Sequence, residues 1–88
     1  MNKIVSVIRP FTMQQNVFVY NGSNTISVSV AEMDNIEKTI LNLANEYDVN
    51  EVELVGAKKF TSGIKDKIVE AEMNKYNENK LNIKLTNN

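Results

Sequence analysis

The chain has 88 residues, 42% of them hydrophobic, a net charge of −1, and neither cysteine nor histidine. A chain this long buries roughly 60–65% of its unfolded surface, so residues 1–88 are read as a single domain with one thin core. Such a chain can supply no disulfide, no thiolate or imidazole metal ligand and no histidine base, and no apolar run approaches the ~18 residues of a membrane span.

The charges are unevenly placed. Residues 1–31 hold only Lys3 and Arg9, residues 32–57 set seven acids against Lys38, and residues 58–88 set seven lysines against four acids. No basic stripe results, so nucleic acid is not the expected partner. The stretch Met1-Asn2-Lys3-Ile4-Val5-Ser6-Val7-Ile8 is a poor signal peptide. Pro10 and the polar Gln14-Gln15-Asn16 follow it too soon, without a small-residue cleavage site. The expected location is cytoplasmic, and Asn21-Gly22-Ser23, although it matches a glycosylation sequon, is then only a turn.

Ile4 to Ile8 is apolar and β-branched except for Ser6, and reads as a central first strand. Arg9-Pro10 ends it, because proline cannot donate to a ladder. Residues 11–15 connect it to a second strand, Val17-Phe18-Val19-Tyr20. Asn21-Gly22-Ser23-Asn24 is a hairpin turn, and the third strand runs from Thr25 to Val30. In that strand Ile26, Val28 and Val30 share one face, and Thr25, Ser27 and Ser29 the other.

Asp34 with Glu37 forms a capping box, with Met33 as a staple, and opens a first helix. Its apolar face is Ile36, Ile40, Leu43, Ala44 and Tyr47, and Asp48 to Asn50 ends it. In Val49 to Gly56, Val52 and Leu54 alternate with Glu51 and Glu53, the period of a half-buried strand. Gly56 to Gly63 is read as a loop into a second helix ending near Tyr76, with the stripe Ile64, Ile68, Ala71 and Lys75. Thr61 or Ser62 is a candidate cap, with Lys58 to Phe60 as an alternative first turn. Leu81, Ile83 and Leu85 alternate into a last strand, and Thr86 to Asn88 is a tail.

The element order β-β-β-α-β-α-β, with hairpin-linked neighbours and right-handed crossovers, gives an α/β (α+β) two-layer sandwich. Its sheet is mixed and five-stranded, of order 3-2-1-4-5, with both helices on one face. That order, with the helix-to-strand passage Tyr47-Asp48-Val49-Asn50-Glu51-Val52-Glu53-Leu54-Val55-Gly56, resembles the minimal core of the RNase H-like fold of resolvases, nucleases and actin-like ATPases. The resemblance implies carboxylates in mid-strand 1 and near the end of strand 4. This chain has Ser6 and Val55-Gly56 there, so the converging acids of two-metal chemistry are missing. Ile8-Arg9-Pro10-Phe11 is similar to the start of nitrogen-regulatory PII proteins, but a strand pattern follows where that family has a helix. With no activated nucleophile or base, no enzyme, cofactor or metal is expected.

Two helices cover one side of such a sheet. The other side presents Ser27, Ser29, Glu51, Glu53, Asn82 and Lys84, with either Val5/Val7 or Ile4/Ile8 and either Phe18/Tyr20 or Val17/Val19 at its centre. An apolar centre with a polar rim is interface anatomy. The candidate interface is Val5, Val7, Phe18, Tyr20, Ser27, Ser29, Glu51 and Glu53, and its occupant another copy or a partner protein. The alternative is that Phe11, Met13 or the tail folds over it. A second candidate is an anion site at Gly56, Lys58, Lys59, Thr61, Ser62 and Gly63, after a parallel strand and before a helix. It lacks the Gly-Lys-Ser/Thr ending of a P-loop. An aromatic pair on an open sheet also resembles an RNA platform, but Glu51 and Glu53 oppose phosphate. The abundance of Asn, Lys and Ile suggests an AT-rich genome, and with the small size a phage or mobile-element origin.

Overall fold

The computed structural model describes residues 2–9, 15–30 and 36–87. They form β1 (Asn2–Val7), β2 (Gln15–Asn21), β3 (Asn24–Val30), α1 (Ile36–Tyr47), β4 (Glu51–Val55), α2 (Lys58–Tyr76) and β5 (Asn82–Thr86). The strands make one mixed sheet in the expected order β3-β2-β1-β4-β5. β1 and β2, and β2 and β3, pair antiparallel; β1 and β4, and β4 and β5, pair parallel. Pro10, Phe11, Met13, Met33 and Asp34 lie outside the described residues.

The strand patterns decide which way each face points. Ile4, Ser6 and Ile8, Gln15, Val17 and Val19, and Val52 and Leu54 are buried. Ile26, Val28, Ile83 and Leu85 are half-buried and packed against that core. All lie on one face, because alternate residues of a strand point the same way and the register keeps the strands in phase. Both helices sit there: α1 packs on β2 and on α2, and α2 packs on β4 and β5. α1 buries Ile36, Ile40, Leu41, Leu43 and Ala44. α2 buries Thr61, Ile64, Ile68 and Glu72, and Lys75 of the expected stripe is exposed instead.

Helix ends follow from residues that accept a left-handed conformation. Asp48 has φ 53, and the Val49 N–H returns to the Ala44 carbonyl at 2.9 Å, a Schellman ending with Val49 buried beneath it. Asn77, with φ 56, ends α2 through its N–H to Met73 at 2.8 Å. In the β2–β3 hairpin, positive φ is confined to Gly22, at 66. That is the sign pattern of a type II′ turn, with Gly22 and Ser23 as the two loop residues.

Gly56 is tied into the sheet. Its N–H bonds the Thr86 carbonyl at 2.9 Å. At φ +149, a Cβ there would lie 3.0 Å from the Ile8 carbonyl oxygen. Only glycine brings the backbone this close to the end of β1 while turning into α2. Two buried polar side chains tie two further connections. Gln15, 1% exposed, accepts from the Arg9 N–H at 2.6 Å and donates to the Arg9 carbonyl, joining the ends of β1 and β2. Glu72, 4% exposed, accepts the N–H groups of Lys80 at 3.0 Å and Leu81 at 3.2 Å, which fixes the passage from α2 to β5.

Candidate functional site

The helix-free face can be built row by row from the register. The central row runs Ser27, Phe18, Val5, Glu53, Lys84 across the five strands. One side of it is the row Ser29, Asn16, Val7, Val55, Thr86. On the other side Thr25, Tyr20 and Lys3 are aligned, as are Glu51 and Asn82. All eight expected interface residues therefore fall on one face: Val5, Val7, Phe18, Tyr20, Ser27, Ser29, Glu51 and Glu53. The choice that the sequence leaves open at β1 and β2 is resolved by burial, since Ile4 and Val17 and Val19 are wholly enclosed on the helix side.

Three zones cross this face. β3 contributes a strip of exposed hydroxyls, Thr25, Ser27 and Ser29. The centre is apolar: Val5, Val7, Phe18, Tyr20 and Val55 are all half-buried. β4 and β5 contribute a charged strip. Val55, Asn16, Lys3, Thr25 and Thr86 belong to the surface but were not in the sequence-derived set. Val55 is the informative omission, because it completes a Val7–Val55 pair across two parallel strands and was read only as the strand's end.

Both carboxylates of the charged strip are engaged by neighbouring side chains. Glu53 Oε1 accepts from Lys3 Nζ at 3.1 Å, and Glu53 Oε2 accepts from the Thr86 hydroxyl at 2.6 Å. One carboxylate thus links β1, β4 and β5. The Thr86 hydroxyl bond, then the Lys3 bond, hold the Glu53 carboxyl below its ordinary value of 4.5 against a smaller opposing effect of burial, and the charges of Lys3 and Lys84 add to the lowering. Glu51 accepts from the Asn82 amide at 3.1 Å.

The second expected site is divided by the structure. α2 begins at Lys58, so most of Gly56–Gly63 is helix and not loop; Ala57 holds the N-cap position with φ −63 and ψ 129 and no side-chain cap. Neither Thr61 nor Ser62 caps, and Thr61 is fully buried. Gly56, Lys58 and Thr61 do line one cleft of about 420 Å³, together with Lys65, Ile83, Leu85, Thr86 and Asn87. Lys59, Ser62 and Gly63 do not line it; Lys59 Nζ stands 5.1 Å from the Phe60 ring centre. Lys65, one turn beyond Thr61, joins the cleft through a helical spacing that a loop over Gly56–Gly63 does not supply.

Among the described residues no three carboxylates gather to hold a metal ion, and no helix is long and apolar enough to cross a membrane. A second hollow of about 130 Å³ lies beside Leu41, Asp48, Glu72, Tyr76 and Leu81, and its buried carboxylate is already engaged by backbone N–H groups. No family model, curated protein or solved structure matches this chain.

Proposed function

We propose that this chain is a non-catalytic protein-interaction module whose contact surface is the helix-free face of its sheet. The supporting observation is the clustering of Val5, Val7, Phe18, Tyr20 and Val55 at the centre of that face, with both helices on the other side. An apolar centre ringed by hydroxyls and paired charges suits contact with another protein. Because the charges of Lys3 and Lys84 offset those of Glu53 and Glu51, the face carries no net charge and demands none from its partner. The occupant is therefore an uncharged, apolar protein surface, and its binding should be little affected by salt. Nucleic acid, by contrast, would bind with a steep salt dependence.

The test is capture from the native host followed by titration of the purified captured protein. Wild type and Lys59→Glu should bind alike. Phe18→Glu should weaken binding by about 100-fold, as expected for an aromatic anchor at an interface centre. Affinity should change little between roughly 50 and 500 mM salt. Recovery of no protein whose binding depends on Phe18 would end the proposal.

A second reading rests on the cleft beside Gly56. Lys58, Lys65, Thr61 and Thr86 line it, and the first turn of α2 has no side-chain cap, leaving N–H groups directed at solvent or an anion. This reading makes the chain a small-anion or nucleotide-binding module.

A further inference from the structure

A sheet of order β3-β2-β1-β4-β5 has two edges, and they are built differently. Proteins blunt an edge with lysine, proline, a bulge or brevity. β5 has five residues with Lys84 at its centre. β3 has seven residues, Asn-Thr-Ile-Ser-Val-Ser-Val, with no charge and no proline. Its register with β2 is unbroken from Asn24 to Val30, so it carries no bulge.

The direction of the backbone groups that β3 leaves unpaired among the described residues follows from the hairpin. A two-residue turn is closed by a hydrogen-bonded pair, here Asn21 with Asn24, and pairs alternate from there. Thr25, Ser27 and Ser29 therefore occupy non-hydrogen-bonded positions toward β2, and their N–H and C=O groups point outward along the edge. All three residues are exposed. On the helix side Ile26 and Val28 are only half-buried, although Val17 and Val19 beside them are fully enclosed.

We infer that β3 pairs antiparallel with β3 of a second copy, about a two-fold axis through Ser27, giving one continuous ten-stranded sheet. The strand is near-palindromic in residue type about that point: hydroxyl, aliphatic, hydroxyl, aliphatic, hydroxyl over Thr25 to Ser29. Centring on Ser27 pairs all seven residues, where any other centre leaves part of the strand unmatched. Ser27 then meets its own copy, Thr25 meets Ser29, and Ile26 meets Val28. About six backbone hydrogen bonds form from outward groups alone. Hydroxyl and β-branched cross-strand pairs are favourable ones, and no like charges oppose. The half-buried Ile26 and Val28 of both copies close a short apolar seam. The contact is isologous, so it uses up the edge and stops at two chains.

This inference stands on the strand and not on the face reading, but it enlarges the proposed surface. Five strands of five to seven residues give a face on the order of 500 Å². A stable interface takes about 800 Å² from each partner. Two edge-paired copies present on the order of 1,000 Å², with both helix layers on the far side.

The experiment uses the full chain. Wild type should sediment as a dimer at roughly tens of micromolar, and Ser27→Lys as a monomer that still unfolds cooperatively, at the melting temperature of wild type diluted to its monomeric range, because two lysines would face each other at the axis. Mixing Ser27→Lys with Ser27→Glu should restore a dimer. The chain has no cysteine, so Ser27→Cys under mild oxidation should give a covalent dimer, whereas Asn79→Cys, on the exposed turn after α2, should not. Phe18→Glu should leave this dimer intact while losing the partner, so the edge and the face fail separately. A wild type that stays monomeric overturns the inference. So does a dimer that tolerates Ser27→Lys, or one lost only in Phe18→Glu, which would move self-association to the face.

Discussion

Glu53 shows how one residue on the open face serves the fold. Its carboxylate joins three strands through Lys3 and Thr86, and those bonds lower its pKa from 4.5. A carboxyl whose pKa is lower folded than unfolded contributes stability that is complete above the ordinary value and is lost as pH falls through the lowered one. Urea midpoints measured from neutral pH downward should therefore fall more steeply below 4.5 for wild type than for Glu53→Gln. Parallel curves would show that Glu53 contributes nothing to acid sensitivity. At this scale the sequence is only partly legible. Glu53 was readable as outward-facing from its alternation with Val52 and Leu54, but its partners come from strands 50 and 33 residues away. Gln15 and Glu72 were not legible at all. Each is a polar residue enclosed because it satisfies backbone groups across a chain reversal, and no local period announces that.

The elements themselves were mostly written in short-range patterns. Alternation marked β3, β4 and β5, an apolar stripe marked α1, and Asn-Gly marked the hairpin. The beginning of α2 was ambiguous, and of its two readings the structure has the first turn at Lys58 to Phe60. Ala57 starts it with backbone geometry alone, so the usual Ser or Thr signal pointed four residues too late, at Thr61 and Ser62. That shift changes the chemistry of the candidate anion site. Placing Lys58 to Gly63 on a helix separates Lys59 from Lys58 and brings in Lys65 instead. If the cleft holds an anion, phosphate or a nucleotide at millimolar concentration should raise the melting temperature of wild type. The rise should be abolished in Lys58→Ala/Lys65→Ala and kept in Lys59→Ala. No rise in wild type, or an equal rise in all three proteins, would remove the anion reading.

Among the described residues the molecule is two layers, with the second face of the sheet unoccupied by helix. One set of alternating residues, Ile4, Val17, Val19, Val52 and Leu54, makes the core with Ile36, Ile40, Ile64 and Ile68. The other set makes the face that would meet a partner. A one-residue slip of β2 would exchange Phe18 and Tyr20 with Val17 and Val19, and the buried valines hold the register against it. Both assignments were available from the sequence, because β1 and β2 are apolar on both sides. Only tertiary packing distinguishes them: β1 turns its isoleucines and β2 its valines beneath the helices, and β2 leaves its two aromatic rings outside.

The most direct test compares two adjacent residues of β2 by urea denaturation of the isolated protein. Val19→Ser places a hydroxyl in the enclosed layer and should cost about 2–4 kcal/mol. Phe18→Ser lies on the open face, where the half-buried ring keeps part of its surface in solvent, and should cost clearly less, about 1–2 kcal/mol. If Phe18→Ser proves as destabilising as Val19→Ser, the helix-free face is a second core and not a contact surface.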